Sequence, residues 1–157
     1  MGRIECRAVW SATLFVFTYL TFADYQGALV KFVHLVAMLA IAQYIFFAIQ
    51  VGRARGKYGV NAPATSGHEM FDRIYRVQSN TLEQLVCFLP ALFVAAVYWP
   101  PAYMAALGVV YLVGRTLYWL SYIKDPSSRG TGFMVTFASV AMLILAAVVG
   151  ALFRSSI

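Results

Sequence analysis

The chain has 157 residues, of which 62% are hydrophobic and 11% are charged, and its formal net charge is +6. A soluble globular domain is only about half apolar, so this composition excludes an ordinary soluble domain and indicates one integral membrane domain. Basic loops that face anionic lipid headgroups explain the positive charge, and no basic stripe indicates nucleic-acid binding.

The first apolar run covers residues 8–23 and follows Arg3 and Arg7. As a helix it would reach about 24 Å, which is marginal for a hydrocarbon core of roughly 30 Å. Three interpretations are therefore open: a cleaved signal peptide, a short fifth helix, or an interfacial helix. We treat residues 1–27 as an N-terminal extension and residues 28–157 as the membrane domain.

Four later runs are long enough to cross a membrane as helices. Alternation of the kind found in membrane β-strands is absent, so the sequence predicts an all-α bundle of four transmembrane helices in up-down order. The predicted spans are residues 28–51, residues 82–98 as the deep part of a longer helix from residue 71, residues 102–122 and residues 132–153.

The connections between these helices differ in length. Residues 52–70 are polar and glycine-rich, so we expect an irregular loop there. The Trp99-Pro100-Pro101 sequence predicts a tight reversal, because proline cannot continue a helix. Residues 127–132 form a short turn in which Ser or Thr is available to cap the last helix.

Lysine and arginine concentrate in two loops, which predicts that both loops face the cytoplasm. The opposite side of the bundle carries only Lys31 and Arg154. Lys31 and the nearby His34 are explained by snorkelling to the interface, and His68 by solvation in its loop. The residues of the two basic loops are Arg53, Arg55 and Lys57 in one, and Lys124 and Arg129 in the other.

Polar residues form one stripe on each of the two middle helices. Arg76, Asn80 and Glu83 are spaced i, i+4 and i+7, so they share one helical face. Arg115, Tyr118 and Tyr122 are spaced i, i+3 and i+7 on the next helix. A short connection makes these helices antiparallel, so we expect the two stripes to meet at the cytoplasmic end.

Such charge at membrane depth is costly and usually marks a functional site. A guanidinium, an amide, a carboxylate and phenols would suit a small zwitterionic ligand such as a peptide. The structural alternative is that Arg115 and Glu83 neutralise each other, while Tyr118, Trp119 and Tyr122 form an interfacial aromatic belt.

The chain resembles the MAPEG family, the membrane-associated proteins of eicosanoid and glutathione metabolism, over about residues 28–153. Several motifs carry the resemblance in the expected order. They are ARGKY at residues 54–58, FDRIYRVQSNTLE at residues 71–83, FLP at residues 88–90, GRTLY at residues 114–118 followed by Tyr122, and DPSSRG at residues 125–130.

The resemblance implies a four-helix protomer that forms a homotrimer, with glutathione as co-substrate bound between adjacent protomers. It implies that Arg129 stabilises the glutathione thiolate and that Arg115 is structural. We expect no metal, because the spacing of Cys6 and Cys87 suggests no metal site. Gln84 departs from the leukotriene-forming branch, which has a tyrosine at this position. The implied glutathione contacts are Arg55, Arg76, Gln78, Asn80, Glu83, Tyr118 and Tyr122.

We therefore expect a bacterial inner-membrane glutathione transferase that acts on hydrophobic electrophiles and reduces lipid hydroperoxides. The alternative is a non-catalytic, lipid-binding membrane scaffold of the same fold, but that branch lacks the thiolate arginine. A transporter or proton relay built on Glu83 and Arg115 is a third hypothesis. It is disfavoured because the chain shows neither internal repeats nor discontinuous spans.

Overall fold

The computed structural model describes the backbone of residues 2–154 and the side chains of residue 27 and residues 29–154. No strand occurs in this part of the chain, and the all-α prediction is confirmed. The helices are α1 (Gly2–Tyr58), α2 (Glu69–Tyr98), α3 (Pro101–Lys124), a short 3-10 helix (Pro126–Arg129) and α4 (Gly130–Phe153).

Four helical segments of the described chain are long and apolar enough to cross a membrane, as predicted. The side chains of residues 8–23 lie outside the described residues. The three interpretations of that run, and the division of the chain near residue 28, therefore stay predictions. The four spans are Leu29–Tyr58, Glu69–Tyr98, Pro101–Lys124 and Pro126–Phe153.

The first helix continues further than the sequence predicted, because residues 52–58 are helical rather than irregular. Arg55 and Lys57 lie in its last turn, where cations interact favourably with the helix dipole. Gly59 follows with a φ of 67°, the left-handed conformation that commonly ends a helix. The Val60 amide then donates to the Arg55 carbonyl over 3.2 Å, which completes this helix end.

His68 has a structural role that solvation alone did not predict. Its Nδ1 atom accepts a hydrogen bond from the Met70 amide over 3.2 Å and so caps the start of α2. Its ring also stacks on Tyr58, with centroids 4.2 Å apart. His68 thereby joins the end of α1 to the beginning of α2.

Of the two short connections, one has the structure that the sequence predicted and the other does not. The reversal after α2 is confirmed, since Pro101 occupies the first turn of α3. Neither Ser nor Thr caps α4, whose N-cap residue is Arg129 and makes no side-chain cap bond. Asp125 instead caps the preceding 3-10 helix, because its carboxylate accepts from the Ser127 amide over 2.9 Å.

Two glycines let α3 and α4 approach closely in the half of the bundle that holds the end of α3 and the beginning of α4. A Cβ atom at Gly114 would lie 2.8 Å from the Thr136 amide nitrogen. A Cβ atom at Gly132 would lie 2.6 Å from the Cα atom of Tyr118. Because real Cβ atoms do not approach backbone so closely, this packing requires glycine at both positions. The beginning of α4 is therefore held directly against α3.

Candidate functional site

A polar groove of about 600 Å³ lies between α2, α3 and the beginning of α4. Its volume falls in the range of small-molecule sites, roughly 300–1,000 Å³. We call it the polar groove. Its lining residues are Arg76, Asn80, Glu83, Tyr118, Tyr122, Arg129 and Phe133.

The periodicity of α2 presents its polar stripe to this groove. Val77 and Thr81 are fully buried on the neighbouring face, where they pack into the bundle. Arg76, Asn80 and Glu83 are spaced along the same helix so that all three line the groove, as the spacing predicted. Arg76 and Glu83 are exposed, so their charges are available at the surface of the groove.

Arg115 lies behind the groove rather than in it, with 0% of its surface exposed. Its Nη1 atom donates to the Oδ1 atom of Asn80 over 3.1 Å, and its Nη2 atom donates to the Thr81 hydroxyl over 2.9 Å. A buried guanidinium that is hydrogen-bonded in this way ties α3 to α2. The geometry suits the structural role that the family resemblance implies.

The structural alternative, direct neutralisation of Glu83 by Arg115, is not what the geometry shows. Within the described residues, Arg73 and Glu69 form the sole ion pair. Asn80 lies between the two charges instead, and its Nδ2 atom donates to Glu83 over 3.1 Å. The Glu83 carboxylate therefore lines the groove with a hydrogen bond to Asn80 and without an ion pair to Arg115.

The aromatic wall of the groove comes from α3. The rings of Tyr118 and Tyr122 lie 5.4 Å apart, and Tyr118 is only 4% exposed. The Arg115 guanidinium carbon lies 4.3 Å from the Tyr118 ring centroid, within cation–π distance. A buried tyrosine over an arginine is not a headgroup belt, so the belt interpretation is wrong for Tyr118.

Arg129 lines the groove from the end of the 3-10 helix. Its guanidinium carbon lies 5.5 Å from the Tyr122 ring centroid, and its Nη1 atom donates to the Pro126 carbonyl over 3.4 Å. The side chain is exposed, so the cation faces the opening of the groove. A cation in this position would meet an anionic atom of a bound ligand.

Asp125 stabilises the short helix that carries Arg129. Hydrogen bonds from the hydroxyl and the amide of Ser127 lower the pKa of the Asp125 carboxyl below its ordinary value of 3.8, and the Arg73 cation contributes in the same direction. The ionised carboxylate therefore holds this turn at neutral pH. The position of Arg129 depends on it.

Two predicted ligand contacts, Arg55 and Gln78, do not line the groove. Arg55 donates to the Ala64 carbonyl over 2.7 Å and lies over the Phe71 ring. Gln78 donates to the Tyr44 hydroxyl over 2.7 Å, on the side of α2 that faces α1. The groove thus contains the other six predicted site residues but not these two.

The structure also shows contributors that sequence reasoning missed. Phe133 lines the groove, one helical turn after Arg129, and adds an apolar surface beside the cations. The Thr81 hydroxyl accepts a hydrogen bond from Arg115 and donates one to the Val77 carbonyl over 2.6 Å. The spacing from Arg129 could have indicated Phe133, whereas nothing in the pattern singled out Thr81.

The groove offers charges of both signs. Among the described residues, neither Arg76 nor Arg129 forms an ion pair with an acidic side chain. The set suits a ligand that carries more than one anionic group together with a cationic group. Among the described side chains, no cluster of three or more His, Cys, Asp or Glu could hold a metal ion.

Comparison with known proteins gives a consistent family assignment. The model of the MAPEG family matches residues 33–149. The chain is 45% identical to an uncharacterised protein of Synechocystis sp. over 120 residues, which cover 76% of this chain and 88% of that protein.

Two relatives with assigned names are more distant. Human microsomal glutathione S-transferase 2 is 37% identical over 115 residues, which cover 73% of this chain and 78% of that protein. Leukotriene C4 synthase of Cavia porcellus is 33% identical over 117 residues, which cover 74% of this chain and 78% of that protein. The helical bundle, the groove and these matches together show that the chain belongs to the MAPEG family.

Proposed function

We propose that this protein is a membrane glutathione transferase that conjugates glutathione to hydrophobic electrophiles. The observation that carries the proposal is the convergence of Arg76, Asn80, Glu83, Tyr118, Tyr122 and Arg129 on one groove. The names of the relatives support it, since one is a glutathione S-transferase and another is a leukotriene C4 synthase. A role in detoxification follows from this chemistry.

The groove matches the functional groups of glutathione, a tripeptide with one α-amino group and two carboxylates. Arg76 suits a carboxylate, because a guanidinium donates two parallel hydrogen bonds to it. Glu83 suits the ammonium group, and Asn80 suits an amide or a carboxylate oxygen through its Nδ2 atom. Tyr118 and Tyr122 would contact the peptide along the opposite wall.

Arg129 is the proposed catalytic residue. A free thiol has a pKa of about 8.5, so it is mostly protonated at neutral pH, while the thiolate is the nucleophile. A guanidinium at the sulfur favours the thiolate, and the thiol proton passes to water. With an aryl chloride, the sulfur then forms a bond to the ring carbon and chloride leaves with the bonding electron pair.

The membrane location suits an apolar second substrate. Phe133 and the lipid-facing surface of the bundle would guide such a molecule from the bilayer to the thiolate. A lipid hydroperoxide could react at the same sulfur. Two glutathione molecules would then be oxidised to one disulfide, while the peroxide is reduced to an alcohol and water.

We further propose that the site is shared between protomers of a homotrimer. Arg55, in the last turn of α1, and Gln78, on the side of α2 that faces α1, both lie away from the groove of their own chain. Contact with glutathione would require them to reach the groove of a neighbouring protomer. The same proposal places the two basic loops, and with them the groove, on the cytoplasmic side of a bacterial inner membrane.

Mixed oligomers test this sharing. Arg129→Ala and Gln78→Ala chains should each have reduced turnover alone. When they are co-expressed and purified through two different tags, they should regain part of the wild-type turnover. Regain is expected because some sites then combine an intact Arg129 with an intact Gln78 from the neighbour. Absence of any regain, with mixed oligomers shown to be present, would contradict a shared site.

The transferase activity is tested directly with detergent-purified protein, glutathione and a chloronitrobenzene. We expect glutathione-dependent turnover and the absorbance of a bound thiolate on addition of glutathione. A protein that binds lipid but shows neither signal would favour the non-catalytic scaffold instead. The exposed Arg129 at the groove weighs against that alternative.

A further inference from the structure

Arg73 connects the beginning of α2 to the end of α3 without lining the polar groove. Its Nη1 atom donates to the Ile123 carbonyl over 3.0 Å and lies 3.4 Å from the Lys124 carbonyl oxygen. Its Nη2 atom forms an ion pair with Glu69, one turn earlier on α2. The Arg73 side chain is only 20% exposed, whereas the Glu69 side chain is 76% exposed.

These contacts satisfy groups that a helix end leaves without partners. The last four carbonyls of an α-helix have no intrahelical donor, and they carry the negative end of the helix dipole. A guanidinium on another helix that donates to two of these carbonyls gives them hydrogen-bond partners and offsets the partial negative charge of the helix end. Arg73 therefore fixes where the last turn of α3 lies relative to α2.

The end of α3 leads directly to the catalytic arginine proposed above. Asp125 follows Lys124, and its amide donates to the Ser121 carbonyl over 2.8 Å. Its carboxylate caps the 3-10 helix that ends at Arg129. A shift of the last turn of α3 would therefore move Asp125, the short helix and Arg129 together.

The polar groove lies between two such connections. Arg115 ties α3 to α2 at the deep end, through Asn80 and Thr81. Arg73 ties the same two helices at the outer end, one turn before Arg76 on α2 and next to Tyr122 on α3. Arg76 on α2 and both tyrosines on α3 lie between these two connections, so the pair sets the separation of the walls there.

We propose that Arg73 is a positioning residue, which holds the end of α3 so that Tyr122 and Arg129 face the α2 wall of the groove. The inference rests on the proposed function, because it assigns Arg73 an effect on the glutathione thiolate without contact to it. Arg73 should thus affect the chemical step more than the affinity for glutathione.

The test compares Arg73→Gln with Arg73→Lys, and uses Lys124→Gln as a control that removes a neighbouring exposed cation. We expect Arg73→Gln to lower kcat about tenfold, as for the loss of charge-assisted hydrogen bonds, and to raise KM for glutathione less. The pKa of bound glutathione, followed by thiolate absorbance against pH, should rise. Arg73→Lys should restore part of kcat and part of the shift in the thiol pKa, and Lys124→Gln should behave as wild type.

Hydrogen exchange of residues 120–130, measured without glutathione, gives a readout that is independent of catalysis. Arg73→Gln should speed exchange there, while the middle of α3 stays protected. Unchanged exchange, or faster exchange with unchanged kcat and thiolate pKa, would overturn the inference. If the wild-type protein shows no glutathione turnover, the proposed function fails, and the exchange result alone decides whether Arg73 holds the end of α3.

Discussion

The buried guanidinium of Arg115 donates a hydrogen bond to the Oδ1 atom of Asn80 over 3.1 Å. This contact fixes the orientation of the Asn80 amide, because its oxygen is occupied from behind. The Nδ2 atom is then directed towards Glu83 and the polar groove. A residue without access to the ligand thus determines which hydrogen-bonding group Asn80 presents.

Replacement of Arg115 by Met should destabilise the protein. The substitution leaves the buried Thr81 oxygen and the half-buried Asn80 oxygen without their donor, at a cost of about 2 kcal/mol in the free energy of unfolding. Denaturant unfolding in detergent measures this. The matched variant Arg76→Met, at an exposed position, should keep wild-type stability and bind glutathione about tenfold more weakly. Wild-type stability of Arg115→Met would contradict the assigned role.

Most of the fold could be predicted, because apolar runs of spanning length admit few structures besides a helix bundle. The end of the first helix could not, since Gly52 and Gly56 suggested a loop. Glycine is tolerated within a helix when the surrounding residues favour the helix. The helix ends at Tyr58, directly before Gly59 and after a basic last turn. The basic turn followed by Gly59 is visible in the sequence, but it is a weaker signal than the change from apolar to polar residues at residue 52.

Replacement of Arg129 by Ala should slow turnover far more than it weakens glutathione binding. The residue is proposed to act on the thiolate, so we expect kcat to fall at least about tenfold, which corresponds to roughly 1.4 kcal/mol. The pKa of the bound thiol should rise towards its free value. Arg129→Lys, which keeps the charge, should show an intermediate pKa. Equal losses in kcat and affinity would instead assign Arg129 to binding alone.

Replacement of Asp125 by Ala should loosen the 3-10 helix in a pH-dependent way. The pKa of Asp125 lies below 3.8, so its stabilisation of the turn is present above that pH and is lost as the pH falls through the lowered pKa. Hydrogen exchange of residues 126–130 should be faster in Asp125→Ala than in wild type at neutral pH. After correction for intrinsic rates, the difference should diminish as the pH falls below 3.8 and disappear once the pH is below the lowered pKa. A difference that persists unchanged there would exclude the carboxylate as its cause.

Replacement of Gly132 by Ala should force α3 and α4 apart. The added Cβ atom would lie 2.6 Å from the Cα atom of Tyr118, so overpacking should cost about 1–3 kcal/mol in the free energy of unfolding. Turnover should fall as well, because Arg129 and Phe133 flank this contact. Gly130→Ala is the control, since its Cβ atom would meet nothing within 4 Å. Equal stability of the two variants would show that the close approach is unimportant.

The candidate site could be predicted in part, because residues spaced along one helical face must lie together. That reasoning identified the stripe of Arg76, Asn80 and Glu83, but it grouped Arg115 with the groove although it lies behind it. Helical spacing gives the direction of a side chain only approximately, and the depth of Arg115 depends on Asn80 and Thr81. Gln78 was expected at the site from the family resemblance alone, and it lies on another face of α2.

The central claim, that the polar groove binds glutathione through both ends of the tripeptide, is tested most directly by calorimetry. Purified protein is titrated with glutathione, with its desamino analogue and with its glycyl ester. We expect saturable binding of glutathione and about tenfold weaker binding of each analogue, since each loses a charge-assisted hydrogen bond. Absence of glutathione binding, or equal affinity for all three compounds, would contradict the account.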